Sequence, residues 1–563
     1  MTGQAAHGVR DQIAAALEAA ARAVGVEGEL PDLELGRAKS AGRGDYASSA
    51  GLKLARVLRK PPQAVAERLV AEIRIPDGAA AVEAVGGYVN FRLTDSWLQQ
   101  LVGQVAREGH EYGSSNLGRG ERLQVEFGSI NPTGPLHIGH GRGVILGDSL
   151  CRLLAFTGHS VQREYYVNSD NTQTRRFGAS VYARMHGKEP PEGGYVAEYV
   201  GRLAEMARLD LPGIDQLAED EAEPKLRLYA MEKIVEQIRT TVARLGVRYD
   251  AWYWESTVWE SGLGRAAIER LREGGHLKER EGALWFAAEG QEEEVEEDAE
   301  AGKIDEEEDR VVVRSNGQPT YFGSDLGYLL SRFDERGYRR VIEVWAADHH
   351  GYVARMKSGA AALGIDPARL VIILHQMVNL KEGKMSKRAG RFVTLDELID
   401  RVGSDAVRYF YLLRSPDTTI EFDLELAVTE GNENPVYYAQ YAHARLTNVE
   451  SAAAQKHPNL AAEADLTLLT QPAELDVARQ LAYWPEVVAD AATLLEPHRI
   501  PYYVQDLATA VHRFYHAGNS QGDLRVVVDD PALTRARLEL CRSARHTLKA
   551  ALELMGVSAP ERM

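Results

Sequence analysis

The chain has 563 residues, 44% hydrophobic and 26% charged, the proportions of a globular protein whose core needs no disulfide or metal staple. Two cysteines, Cys151 and Cys541, exclude a disulfide scaffold and any cysteine-based metal spacing, and they fit a reducing, cytoplasmic compartment. The net charge of −18 is dominated by thirteen acids and one lysine between Glu289 and Asp309, a local −12 that leaves −6 for the rest, so global acidity says little about nucleic-acid partners.

Arg10, Asp11, Glu18 and Arg22 interrupt the Ala-rich start, so neither a signal peptide nor a membrane span is expected. Residues 1–112 read as an α+β unit. A helix is expected over Asp11–Val24, then a turn at Gly42–Tyr46 and a helix over Ala47–Leu58. Pro62 opens another helix, Gln63–Ile73. Gly86-Gly87 precedes an alternating strand, Tyr88–Leu93, and Gly113–Gly118 reads as a linker. From residue 119 to 428 the pattern is that of a parallel sheet. Leu123–Phe127 is a strand, Asn131–Pro135 a loop, Gly139–Thr157 a helix ended by Gly158, and Val161–Val167 the next strand. Helical sequence fills about 171–274 and belongs to an insertion extending to about 310. The run Gln291–Asp309 is expected to be a solvated loop or hairpin tip. Strand signals resume at Val311–Val313, Val341–Trp345 and Leu370–Leu374. Residues 429–563 read as helices.

Two motifs carry chemistry. The first is Asn131-Pro132-Thr133-Gly134-Pro135-Leu136-His137-Ile138-Gly139-His140, where a strand meets a helix N-terminus. Unpaired N–H groups and partial positive charge there suit phosphate, and Gly139 lets a flat base approach the backbone. His137 and His140 can donate hydrogen bonds to phosphate oxygens as charge develops. The second is Lys381-Glu382-Gly383-Lys384-Met385-Ser386-Lys387-Arg388-Ala389-Gly390. Its glycines allow closure over a triphosphate, and its ammonium groups can neutralise charge moving to pyrophosphate. Thr394 and Glu397 form the capping box of the next helix.

Acids gather at the edges of the same sheet. Glu126 ends the first strand, Tyr321 and Asp325 lie one helical turn apart, and Asp348 follows the strand ending near Trp345. Together they would make an anionic pocket for a cationic side chain, a guanidinium in particular.

The paired motifs resemble those of class I aminoacyl-tRNA synthetases, which read His-Ile-Gly-His and Lys-Met-Ser-Lys-Ser. The resemblance narrows to the bacterial-type arginyl-tRNA synthetases on Val125-Glu126-Phe127, the Asn131–His137 loop, Arg163–Asn168, Tyr321 with Asp325, Asn434–Arg445 and the Gly556–Met563 end. It implies a multidomain α/β protein with three parts: a Rossmann-like catalytic domain with helical insertions, an N-terminal α+β added domain at the tRNA elbow, and a C-terminal all-α anticodon-binding bundle.

The implied reaction is attack of the arginine carboxylate on the α-phosphorus of ATP, followed by transfer to the 3′ end of tRNA(Arg). His137, His140, Lys384 and Lys387 would be catalytic. Thr133, Gly134, Pro135, His137, Gly139, His140, Met385, Ser386 and Lys387 would meet ATP. Glu126, Asn131, Tyr321, Asp325 and Asp348 would hold arginine. Many family members carry Gln where Asp348 stands. Asn168-Ser169-Asp170-Asn171 departs from the family's Asn-Asp-Ala-Gly-Asn, and no role is carried over there. Mg²⁺ is expected with ATP, without a dedicated metal site or tightly bound cofactor; a monomer is expected, without a membrane partner. Tyr46 and Lys60 are candidate tRNA contacts. So are Arg535, Arg542, Arg545 and Lys549, a basic stripe beside the apolar stripe of Cys541, Ala544, Leu548, Ala551 and Met555. Tyr437, Tyr438 and Tyr441 read as core. The rivals are an enzyme passing an adenylate to a small molecule and a tRNA-binding paralogue without chemistry.

Overall fold

Leu123, Val125 and Phe127 are wholly buried, and the residues between them, Gln124 and Glu126, are buried too. A strand covered on both faces belongs inside a parallel sheet. In the computed structural model Arg122–Phe127 is the central strand of five, all parallel. Ser160–Val167 and then Ala251–Trp254 lie on one side of it; Arg340–Ala346 and then Leu370–His375 lie on the other. The chain therefore changes direction across the sheet at its central strand, and a crevice opens at the carboxyl ends there. The structure describes residues 8–38, 44–75, 79–287, 310–381, 393–460, 462–520 and 522–563. The run Gln291–Asp309, Gly42 and Arg43, and the loop residues Lys384, Met385, Ser386 and Lys387 lie outside them.

Two strand assignments change. Ala251–Trp254 falls within the span expected to be helical, because four residues are too few to stand out between long helices. Trp252, Tyr253 and Trp254 are aromatic strand formers nonetheless. Val311–Val313 pairs antiparallel with Ala283–Phe286 in a separate three-stranded sheet completed by Leu277–Arg280.

The helix after the central strand runs Ile138–Phe156 and is buried nearly all round from Gly141 onward. It lies so close to its strand that a side chain at Gly147 would overlap the Phe127 ring. The insertion supplies the helices Thr172–Met185, Glu198–Asp210 and Glu219–Arg244. All of this belongs to one compact unit, Gly118–Val428.

The other unit joins the chain ends, Met1–Leu117 with Thr429–Met563. Its N-terminal part is a four-stranded antiparallel sheet, Gly36–Arg37, Tyr46–Ser48, Tyr88–Leu93 and Ala80–Val85 in spatial order. The helix expected from Ala47 starts at Ala50, after the Tyr46–Ser48 strand. Four helices follow Thr429: Pro435–Lys456, Pro472–Leu494, Arg499–Ser520 and Pro531–Met555. The ends interlock through Trp484, whose indole N–H donates to Tyr112 O at 2.8 Å, and through Tyr112, whose hydroxyl donates to Leu481 O at 2.9 Å. Arg37 Nε pairs with Glu486 at 2.5 Å.

Candidate active site

His137 caps the Ile138–Phe156 helix. Its Nδ1 accepts from Gly139 N at 3.1 Å, and His140 Nδ1 accepts from His137 N at 3.3 Å. A ring nitrogen that accepts carries no proton, so each ring bears its hydrogen on Nε2. The rings stack 3.3 Å apart. Gly139 permits this, since a side chain there would meet the His137 ring at 3.0 Å. Burial lowers the His137 pKa. Burial, then His137 and His375, bring His140 down to about 3. His375 ends the Leu370–His375 strand and is itself lowered to about 4, mainly by burial. At neutral pH this end of the crevice holds uncharged imidazoles; His137 and His140 can donate through Nε2, whereas His375 donates through Nδ1 to Gln376 O at 3.3 Å.

The first motif pairs through backbone with residues 393–395, which follow the second motif in sequence. Ile138 N donates to Val393 O at 3.3 Å and Leu395 N to Leu136 O at 2.8 Å, and His137 bridges Thr394. The exit of the Lys384–Lys387 loop is thus stitched to the first motif. The start of the loop is held by Lys381, whose Nζ donates to Asp423 at 2.8 Å. Thr133, Gly134 and Pro135 form the turn leading into the helix, and Tyr199 closes over it, its hydroxyl donating to Thr133 O at 2.6 Å.

The acids lie at the other end. Glu126 is buried and accepts from Arg332 Nη1 at 3.1 Å. Asn131 Oδ1 accepts from Asn171 Nδ2 at 2.9 Å, and Asn131 Nδ2 donates to Gln173 at 2.7 Å. Asp325, half-buried on the Tyr321–Leu330 helix, accepts from the Tyr352 hydroxyl at 2.6 Å. Burial, opposed by that hydrogen bond, raises its pKa to about 7. Tyr166 presents a buried hydroxyl without a partner, in the field of Glu255, Asp325 and Glu126. Tyr321, at the first position of its helix, is 53% exposed. Asp348 stands apart from this buried set: its side chain is 79% exposed on the turn after the Arg340–Ala346 strand.

Several participants escaped the sequence reading. Asn171 carries a legible signal, a capping box with Thr174, yet nothing in sequence points it at Asn131. Glu255 accepts from the backbone N–H groups of Ser169 and Asp170 at 2.9 and 3.2 Å and so anchors the same loop. His375 could have been suspected from its place at a strand's carboxyl end.

The tRNA candidates fare differently. Tyr46 is wholly buried against Tyr483; packing accounts for it, and it is withdrawn as a contact. Lys60 is exposed. Arg535 pairs with Glu539 at 2.7 Å, Arg542 and Arg545 share Glu450 at 3.5 Å, and Lys549 lies 3.9 Å from Glu553. The basic stripe is thus largely answered by acids. Tyr437, Tyr438 and Tyr441 are only half-buried, with Tyr438 and Tyr441 against His512.

Four domain families match the chain: the arginyl tRNA synthetase N terminal domain over residues 7–93, the class I (R) tRNA synthetase catalytic domain over 102–189, the class I (M) tRNA synthetases over 356–437 and the DALR anticodon binding domain over 439–563. An arginine–tRNA ligase of Moorella thermoacetica is 42% identical over 98% of each chain. The chain belongs to the arginyl-tRNA synthetase family. Another relative, an arginine–tRNA ligase of Desulfitobacterium hafniense, is 41% identical over 99% of each chain. Among solved structures, the arginyl-tRNA synthetase of Thermus thermophilus superposes with a TM-score of 0.78 at 25% identity, covering 98% of this chain and 100% of that one. The arginyl-tRNA synthetase of Plasmodium falciparum shares the fold at 15% identity, with a TM-score of 0.73 over the full length of both.

Proposed function

We propose that the crevice activates L-arginine with ATP and passes the arginyl group to the 3′ end of tRNA(Arg), with the residues above in defined roles. The observation that carries this reading is the backbone pairing of 136–138 with 393–395. It ties the first motif, at the carboxyl edge of the strand that carries Glu126, to the residues that follow the second motif in sequence.

Glu126, Asn131 and Asp325 hold arginine, with Tyr321 and Asp348 at the outer rim. Carboxylates suit a guanidinium because each can accept from more than one N–H. ATP lies over Thr133, Gly134, Pro135 and Gly139, and Met385 and Ser386 close from the loop. The arginine carboxylate attacks the α-phosphorus and the bond to pyrophosphate breaks. His137 and His140 donate Nε2–H to phosphate oxygens, while Lys384 and Lys387 take up the charge moving to the leaving group. These contacts strengthen as charge moves, which is how they accelerate the step.

Mg²⁺ arrives with ATP as part of the substrate; among the described residues no group of three or more His, Cys, Asp or Glu could hold a metal. The helices after Thr429 receive the anticodon and the N-terminal part the tRNA elbow. The enzyme acts as a cytoplasmic monomer; no described helix is long and apolar enough to cross a membrane.

The test is ATP–pyrophosphate exchange with each of the twenty amino acids, with and without tRNA. Exchange with arginine alone is expected. Exchange with another amino acid overturns the specificity, and none in any condition favours the non-catalytic paralogue.

A further inference from the structure

Sheet register sets Glu126 opposite Glu343 on one neighbouring strand and opposite Glu164 on the other. Residues in register on adjacent parallel strands point to the same face about 4.8 Å apart. The three carboxylates therefore form a row through the centre of the sheet, all buried. The row crosses the point where the strand order reverses, beneath the crevice.

Two arginines answer it. Arg332 and Arg336 follow the Tyr321–Leu330 helix four residues apart. Arg336 Nη1 donates to Glu164 Oε2 at 2.6 Å. The Tyr328 hydroxyl donates to Glu164 Oε1 at 2.5 Å, and the Tyr328 ring lies 4.0 Å under the Arg332 guanidinium. Arg332 serves two acids through one nitrogen: Nη1 reaches Glu126 Oε2 at 3.1 Å and also Glu343 Oε1. Its Nε and Nη2, and Glu343 Oε2, are buried without partners. Three carboxyl groups thus face two guanidiniums, and one acid is left without a cation of its own. Buried ions kept only for the fold are normally matched in number and hydrogen-bonded throughout.

We propose that Arg332 and Glu343 are positioning residues for substrate recognition: the division of Arg332 between Glu343 and Glu126 leaves Glu126 incompletely neutralised, and the positive charge of arginine completes the row. This rests on the reading of Glu126 as an arginine ligand. Glu343 and Glu164 face Glu126 from the flanking strands and Arg332 from the turn above. Tyr328, Tyr166 and Tyr249 feel its charge, and the Ser129 side chain hydrogen-bonds it. Burial and Glu343 push the Glu126 pKa up, and Arg332 opposes them.

The experiment is a double-mutant cycle on the full-length protein, reading the arginine dissociation constant by calorimetry. Arg332→Met should weaken arginine binding about tenfold or more at pH 7, since one unit of pKa on Glu126 is worth a factor of ten. Adding Glu343→Gln should restore much of that loss, because the like charge that protonates Glu126 is gone. Additive or worsening losses would overturn the proposal and leave Arg332 as packing. Should Arg332→Met not fold, Glu343→Gln alone decides: it should carry the pH dependence of arginine binding to lower pH, and an unmoved profile overturns the idea. Glu126→Gln separates the premise; arginine affinity unchanged in that variant removes Glu126 from the pocket, whatever the cycle gives.

Discussion

The two ends of the crevice are shaped by one force with opposite results. At the end proposed to meet phosphate, burial strips protons from His137, His140 and His375. At the amino-acid end, burial keeps protons on Asp325 and raises Glu126. Bases lose charge and acids lose charge, because the low-dielectric interior disfavours the ion in either case. The crevice by itself therefore carries little charge of either sign. Each ligand draws the charge it needs from the end it meets: a phosphate raises the histidines' proton affinity, and a guanidinium draws the proton off Asp325. The difference between the ends lies in what the ligand does to the proton, not in a field already in place.

The largest test of that contrast is Asp325→Asn. Arginine binding should weaken by about 2–5 kcal/mol, the cost of leaving a buried charge without its partner, while the ATP dissociation constant stays put. If ATP weakens instead, Asp325 belongs to the other end. His140→Ala should do the reverse. Pyrophosphate exchange should slow by about 10²–10³-fold, as for loss of one charge-stabilising donor, with the arginine dissociation constant unchanged.

A smaller effect comes from pH. With its pKa raised to about 7, Asp325 is largely protonated at pH 6 and ionised at pH 8. Arginine should bind more tightly across that window, by at most about tenfold per unit, and release a proton as it does. Calorimetry in two buffers of different ionisation heat measures that proton, and Asp325→Asn should abolish Asp325's share of it. The sign for stability is opposite. A carboxyl with a raised folded pKa contributes stability fully below its unfolded pKa and loses it as pH rises through about 7. Thermal unfolding without ligand should therefore show wild type losing ground to Asp325→Asn as pH rises from 3.8 to about 7, with no further change above that. The smallest effect is expected at Asp348, whose 79% exposure leaves solvent to screen it. Asp348→Asn should change arginine binding by under about 1 kcal/mol.

Much of this was legible because strand burial is written locally. The Val and Ile runs at Val341–Val344 and Leu370–Leu374 are apolar on both faces, and the histidine motif follows its strand directly. Glu126 was visible as an acid at a strand end. Its partners were not. Arg332 lies 206 residues away, and Glu343 interrupts an apolar run in which one acid says nothing of register. The acids beside the C-terminal basic stripe were hidden for a related reason. A helical wheel shows one helix, whereas the acid shared by Arg542 and Arg545, Glu450, sits on another. Tyr46 was named as a contact through the family resemblance alone, and the Tyr46–Ser48 strand turns it into the core.

The absence of a side chain at Gly147 has a mechanical consequence. Phe127 fills that space, so the strand bearing Glu126 and the helix begun by His137 are seated as one rigid piece. The crevice then works as a fixed gauge between the grip on the amino acid and the grip on the phosphates, with no slack to take up a longer or shorter substrate. A side chain one methylene longer than arginine could still satisfy the acids, but its carboxylate would stand about 1 Å from the line of attack, a displacement that costs on the order of 10²-fold in rate. Discrimination by length would then be exercised in the chemical step and would stay hidden from any measurement of binding alone.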